Sequence, residues 1–137
     1  MLLVHPGGPF WARREAGAWS IPKGEYAGEE ALAAAQREFT EETGGTVEGA
    51  FHALAPVRQA GGKAITAWAV RAEFDPAQLR SNTFELEWPP RSGRRQQFPE
   101  VDRAAWFSAT AAREKITAGQ RPLIDELEKW LSDPKSE

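Results

Sequence analysis

Cysteine is absent from the 137 residues. That excludes disulfide bridges and any metal site built on thiolates, and it fits a reducing compartment. A long apolar run is missing too. The opening MLLVHPGG is too short in apolar residues for a signal peptide or a membrane span. The expectation is a cytoplasmic protein with no membrane partner. Nor is basic charge in excess: a net charge of −3 gives no global field to attract duplex DNA. No repeat, linker or low-complexity tract interrupts the chain. What remains, 41% hydrophobic and 27% charged residues, is the balance of a globular protein. The length suits one domain, residues 1–137.

The most informative stretch runs from Lys23 to Gly45, KGEYAGEEALAAAQREFTEETGG. Gly24 and Gly28 punctuate its start. Glu29 to Glu42 holds no Gly or Pro and is rich in strong helix formers, so a helix is predicted there. Gly44-Gly45 follows, where a left-handed cap residue is wanted. At about 100° per residue, Glu38, Glu41 and Glu42 fall at i, i+3 and i+4 on one helical face, with the small Ala31 and Ala34 on the same side. Leu32, Ala35 and Phe39 form the neighbouring apolar stripe, predicted to face a core. Three carboxylates on one face repel each other, and partial desolvation raises the cost. A divalent cation reverses that sign, and oxygen-only ligands select Mg²⁺ or Mn²⁺. Taken alone, the three glutamates fit a solvated acidic face better than a cation site.

Elsewhere the pattern is sparser. Leu2 to His5 reads as a short strand stopped by Pro6-Gly7-Gly8-Pro9. His5 suits a structural role or that of a catalytic base. Gly61-Gly62 marks a hairpin turn, and Lys63 to Phe74 reads as a central strand, apolar on both faces. Phe84 to Trp88 alternates with carboxylates on one face. The following loop carries Arg91, Arg94 and Arg95, which suit either a phosphate clamp or a solvated loop. Ser108 is a good N-cap for a helix over 109–116. Arg121 to Leu131 is an amphipathic helix with Leu123, Leu127, Trp130 and Leu131 on its inner stripe. Among the tryptophans, Trp68, Trp106 and Trp130 are expected in the core. Trp11, Trp19 and Trp88 are better placed to stack on a base.

Glu29, Arg37, Glu38, Phe39, Glu41, Glu42 and Gly44 match in type and spacing the signature G-x5-E-x7-R-E-U-x-E-E-x-G-U, with U bulky or aliphatic. On these residues the chain resembles the Nudix hydrolases, and its run from Leu3 to about Leu131 is similar to a bacterial branch of predicted pyrophosphohydrolases. Trp19 to Gly24 and Glu100, six residues before Trp106, extend the resemblance. Two departures stand out. Four residues rather than five separate Gly24 from Glu29, and the last bulky position is Gly45. A shortened loop displaces the Gly24 carbonyl, so weaker metal binding than in a full-length box is expected.

The resemblance implies an α/β fold, an α/β/α sandwich with a mixed β-sheet. It implies hydrolysis of a phosphoanhydride bond in a nucleoside diphosphate linked to a moiety X: a nucleoside triphosphate, a dinucleoside polyphosphate or a nucleotide sugar. The implied cofactor is Mg²⁺ or Mn²⁺. Glu38 and Glu42 would be principal ligands, Glu41 a third, Glu100 a further ligand or general base, and the Gly24 carbonyl another donor. The base role is shared between Glu38 and Glu100. Arg37 would pair with Glu29 or a neighbouring carboxylate, Lys23 would meet a phosphate, and Arg94 and Arg95 would contact substrate. A nucleotide-binding module without turnover and an RNA 5′-end pyrophosphohydrolase are the alternatives. The partner expected is a small nucleotide, not DNA, and the protein a monomer or homodimer. Relatives with this pattern carry one more strand ahead of the Leu2–His5 segment. The sheet is therefore expected without its first strand. A truncated reading of a longer gene is favoured over a strand lent by a second subunit, and a neighbouring segment filling the gap is the third explanation.

Overall fold

The computed structural model describes residues 1–24, 30–58 and 61–133. In chain order come β1 (Leu2–Pro6), α1 (Ala31–Thr43), β2 (His52–Ala53), β3 (Val57–Arg58), β4 (Ala64–Ile65) and β5 (Trp68–Ala69). They are followed by β6 (Thr83–Glu87), β7 (Arg95–Pro99), β8 (Val101–Trp106), α2 (Ala109–Lys115) and α3 (Arg121–Ser132). The fold is α/β. Among the described residues the strands form four two-stranded antiparallel sheets, β1–β8, β2–β5, β3–β4 and β6–β7, rather than one mixed sheet. A single bridge, Trp19 to Ile116, is parallel, and an antiparallel bridge ties Val4 to Ser20 beside β1.

The expected central strand over Lys63–Phe74 is broken into β4 and β5. Its partner segment explains why. Pro56 has no N–H to donate, so the ladder fails between β2 and β3 and resumes on either side. Leu54 N–H still reaches the Ala67 carbonyl across the gap, at 2.9 Å. The inner face is the one that carries Ala67 and Ala69, both buried. Gly61 and Gly62 turn the hairpin, both at positive φ.

The core has two centres. Leu3, Trp19, Ala112, Ile116 and Ile124 form one, beneath β1 and β8. Val57, Ala67 and Leu123 form the other. Helix α3 feeds both, since Leu123 and Ile124 are adjacent and both buried. Ile124, not Leu131, completes the inner stripe: Leu131 is 49% exposed. The tryptophans also redistribute. Trp19 is 3% exposed and edge-on to Phe107, whereas Trp106 is 50% exposed, with its indole N–H on the Phe74 carbonyl at 2.8 Å. His5 is fully buried and structural. Its Nε2 donates to the Arg14 carbonyl at 2.6 Å and its Nδ1 lies 2.8 Å from Asp102 Oδ1.

Helix α1 starts two residues later than the sequence suggests. Glu30 caps it, accepting from the N–H groups of Leu32 and Ala33, both at 3.2 Å. It ends on Gly44 at φ 79°, whose N–H returns to the Thr40 carbonyl. A Cβ at Gly44 would fall 2.7 Å from Arg80, whereas one at Gly17, also left-handed at φ 72°, would meet nothing within 4 Å. Both substitutions to Ala carry the left-handed cost of about 1–2 kcal/mol. Gly44→Ala is expected to cost at least about 1 kcal/mol more in urea unfolding, because Arg80 must move. Equal losses would show that the contact with Arg80 is not tight.

Candidate functional site

The glutamates of α1 part company at the side-chain level. Arg37 Nη1 donates to Glu38 Oε1 at 2.9 Å and to both oxygens of Glu41 at 3.1 Å. Glu42 turns towards the incoming chain instead, and its Oε1 accepts the Lys23 N–H at 2.8 Å. Glu38 lies against Gly24, where a Cβ would fall 1.9 Å from the Glu38 carboxylate carbon. Only glycine lets the backbone come this close. Glu38 and Glu42 thus share the Lys23–Gly24 corner, while Glu41 belongs to the Arg37 ion pair.

Glu100 reaches the same place from outside the helix, through a short strut that the sequence did not reveal. A helix leaves its last carbonyls without intrahelical donors. Here Arg80 N–H donates to the Thr43 carbonyl and Asn82 N–H to the Glu41 carbonyl, both at 2.8 Å. Glu100 N–H then donates to the Asn82 carbonyl at 2.8 Å. Ser81 Oγ accepts the Val101 N–H at 2.9 Å. On the other side the Glu100 carbonyl accepts the Gly7 N–H at 2.9 Å. Just beyond, the register of β1–β8 steps between His5 and Pro6, leaving Asp102 as the extra residue of a bulge. The His5–Asp102 contact holds that bulge. Ser81-Asn82 ahead of a strand is the only local signal, and it is a common pair of residues.

The electrostatics follow. The Glu42 carboxyl is pushed up to about 7, first by desolvation, with the Glu38 and Glu100 charges adding to it and the Lys23 N–H and ammonium opposing. Among the described residues no three His, Asp or Glu side chains are disposed to hold a metal ion together. Glu41 is engaged through both of its oxygens by Arg37 Nη1. The donor chemistry nonetheless fits a hard cation. Glu38, Glu42 and Glu100 offer only carboxylate oxygens, the charges of Glu38 and Glu100 act on Glu42, and Gly24 leaves room for its backbone to approach.

The remaining expected residues divide clearly. Lys23 is exposed at the rim, close enough for its charge to act on Glu42. Gly44 ends α1 as anticipated. Glu29 and the shortened loop lie outside the described residues. Arg94 and Arg95 do not form one clamp: they point to opposite faces of the β6–β7 ribbon, and Arg95 pairs with Glu85 at 3.2 Å.

A family model described as NUDIX domain matches residues 1–127. The chain belongs to the Nudix family, whose members hydrolyse pyrophosphate bonds in nucleoside diphosphate derivatives and generally use divalent metals. No curated protein and no solved structure matches the chain.

Glu42 also generates a prediction. Its folded-state pKa lies above the ordinary carboxylate value, so between about pH 4.5 and 7 the native state binds more protons than the unfolded one. Stability from this group is therefore present at acid pH and falls as pH rises through 7. A shift of this size is worth up to about 3 kcal/mol, and solvent that still reaches the carboxylate brings it nearer 1–2 kcal/mol. In metal-free urea titrations, wild type should lose more stability between pH 5 and 8 than Glu42→Gln. Parallel profiles would refute the placement of Glu42.

Proposed function

We propose that the protein is a divalent-metal-dependent pyrophosphohydrolase that attacks a phosphoanhydride bond in a nucleoside diphosphate linked to X. The observation that carries this reading is that Glu38 from α1 and Glu100 from the β7–β8 junction lie close enough for their charges to act on Glu42. Glu38, Glu42, Glu100 and the Gly24 carbonyl would hold Mg²⁺ or Mn²⁺, and Glu41 could join once its ion pair with Arg37 opens. The chemistry such a cation supplies is neutralisation of the diphosphate and acidification of the attacking water.

The chain's own groups do the rest. Arg37 fixes the Glu38 carboxylate through its hydrogen bond. Lys23 presents an exposed ammonium to a phosphate oxygen. Glu100 has a carboxylate with no hydrogen-bond partner among the described residues, which leaves it available to take a proton from water. The α/β/α sandwich about a mixed sheet belongs to the same proposal, supported by the bridges that add Ser20 and Ile116 beside the β1–β8 pair. So do a single domain, a cytoplasmic location, a monomer or homodimer, and a small nucleotide rather than DNA as partner. No helix among the described residues is long and apolar enough to cross a membrane. A nucleotide-binding module without turnover is the second reading, and the engagement of Glu38 and Glu41 by Arg37 is what favours it.

A panel of nucleoside triphosphates, dinucleoside polyphosphates and nucleotide sugars with Mg²⁺ or Mn²⁺, read as phosphate or nucleotide release, separates the two. Turnover should vanish with a chelator. Glu42→Gln should lower it by at least about 10²-fold while the fold persists, because a neutral amide binds a hard cation poorly. Near-wild-type turnover of Glu42→Gln at saturating metal would contradict the assignment. Binding of a nucleotide with no turnover at all would favour the second reading.

A further inference from the structure

Strand β8 turns one face to Trp19. Side chains alternate along a strand, so Arg103 and Ala105 share a face. Phe107 continues it, because its N–H still bonds the Met1 carbonyl at 2.8 Å. The Trp19 ring meets both ends of this row. The Arg103 guanidinium lies 5.2 Å from the ring centre, and Phe107 meets the ring edge-on at 5.1 Å. Among the described residues β8 pairs only with β1. A 3₁₀ turn, Pro76–Gln78, also packs near β8. A cavity of about 480 Å³ is lined by the strand, by this turn and by Trp19. Glu38, Glu42 and Glu100 take no part in its walls.

The walls divide by chemistry. Phe107, Leu79, Ala104 and Ala105 offer apolar surface. Arg103 and Lys115 offer positive charge, and one carboxylate holds both. Glu15 lies 2.5 Å from Arg103 Nη2 and 3.5 Å from Lys115 Nζ. The Arg103 hydrogen bond, with the charges of Arg103 and Lys115, keeps the Glu15 carboxyl below its ordinary value. Asp102, the fourth charged group of the wall, is committed to His5. Glu15 itself stands on an exposed stretch, and a Cβ at Gly17, two residues on, would meet nothing within 4 Å. Its side chain therefore has room to swing into water. The Trp19 indole N–H is different: it is buried and has no hydrogen-bond acceptor. A buried donor left open is uncommon in a folded protein. The volume is that of a small-molecule site rather than of a gap for one water.

We propose that this cavity is a binding site for a small carboxylate with an apolar body. The ligand's carboxylate takes the place of Glu15 on Arg103 and Lys115 and accepts the Trp19 indole N–H. Its body lies against Phe107, Leu79 and the two alanines. Glu15 is the internal stand-in for this anion, with the same group on the same partners. Arg103 sits over the Trp19 ring, so an oxygen held by Arg103 lies beside the indole. Charge-assisted hydrogen bonds supply the anchor, and burial of the body supplies the preference over a fully hydrated anion. Inorganic phosphate finds the two cations but leaves the apolar walls uncovered. The inference goes beyond the pyrophosphohydrolase reading and does not depend on it.

Proton–nitrogen correlation spectra of the metal-free protein test this without reading turnover. Each of the six tryptophans gives one indole signal, and sequential assignment identifies that of Trp19. Phenylacetate should shift the Trp19 signal saturably, with a Kd of about 1 mM or below. Acetate, which has the anion without the body, should bind at least about tenfold more weakly, and so should inorganic phosphate. Glu15→Gln removes the internal competitor and should tighten phenylacetate by about threefold or more, whereas Arg103→Gln should weaken it by about tenfold. Glu15 is exposed, so its replacement should not unfold the protein. No saturable shift of Trp19 would overturn the site. So would acetate or phosphate binding as tightly as phenylacetate, Glu15→Gln binding no tighter than wild type, or Arg103→Gln binding as tightly.

Discussion

One run of backbone hydrogen bonds holds the site together. The Glu41 carbonyl, left open by the end of α1, takes the Asn82 N–H, and the Asn82 carbonyl takes the Glu100 N–H. Each bond is modest, about 1 kcal/mol net. The run brings Glu100 close enough for its charge to act on Glu42. The bulge at Asp102 and the buried His5 hold the far side of the same corner, so helix, ribbon and first strand all converge on Glu100.

That convergence is electrostatically unfavourable in the protein alone. Desolvation outweighs the neighbouring charges in raising Glu42, and the Lys23 N–H offsets only part of it. The fold accepts this cost where a solvated acidic face would avoid it. Arg37 relieves the pair Glu38 and Glu41, whereas Glu42 turns to the Lys23 N–H. A carboxylate held near 7 among others is stabilised by a cation, and this distinguishes the cluster from a surface run of glutamates.

Much of α1 was legible because helices are written locally. Helix formers, the glycine stop at Gly44 and the i, i+3, i+4 spacing all lie within one stretch. The box residues identified the family for the same reason. Strands fared worse, since pairing depends on a distant partner. Pro56, not anything within Lys63–Phe74, divides the hairpin. Trp19 and Trp106 exchanged expectations because burial depends on which side of β1–β8 the helices cover. The sequence placed Arg94 and Arg95 together as neighbours. Strand alternation separates them, and the register decides which faces Glu100. The strut at Ser81-Asn82 has no strong local signature, because its role is to meet a helix end that is remote in sequence.

The central claim is that Glu38, Glu42 and Glu100 form one cation site. Crystals soaked in Mn²⁺ and measured for anomalous scattering test it most directly. The account predicts a peak about 2.0–2.6 Å from an oxygen of Glu42 and from oxygens of Glu38 or Glu100. A peak bound only by Glu41, a peak elsewhere on the surface, or none at saturating Mn²⁺ would contradict it.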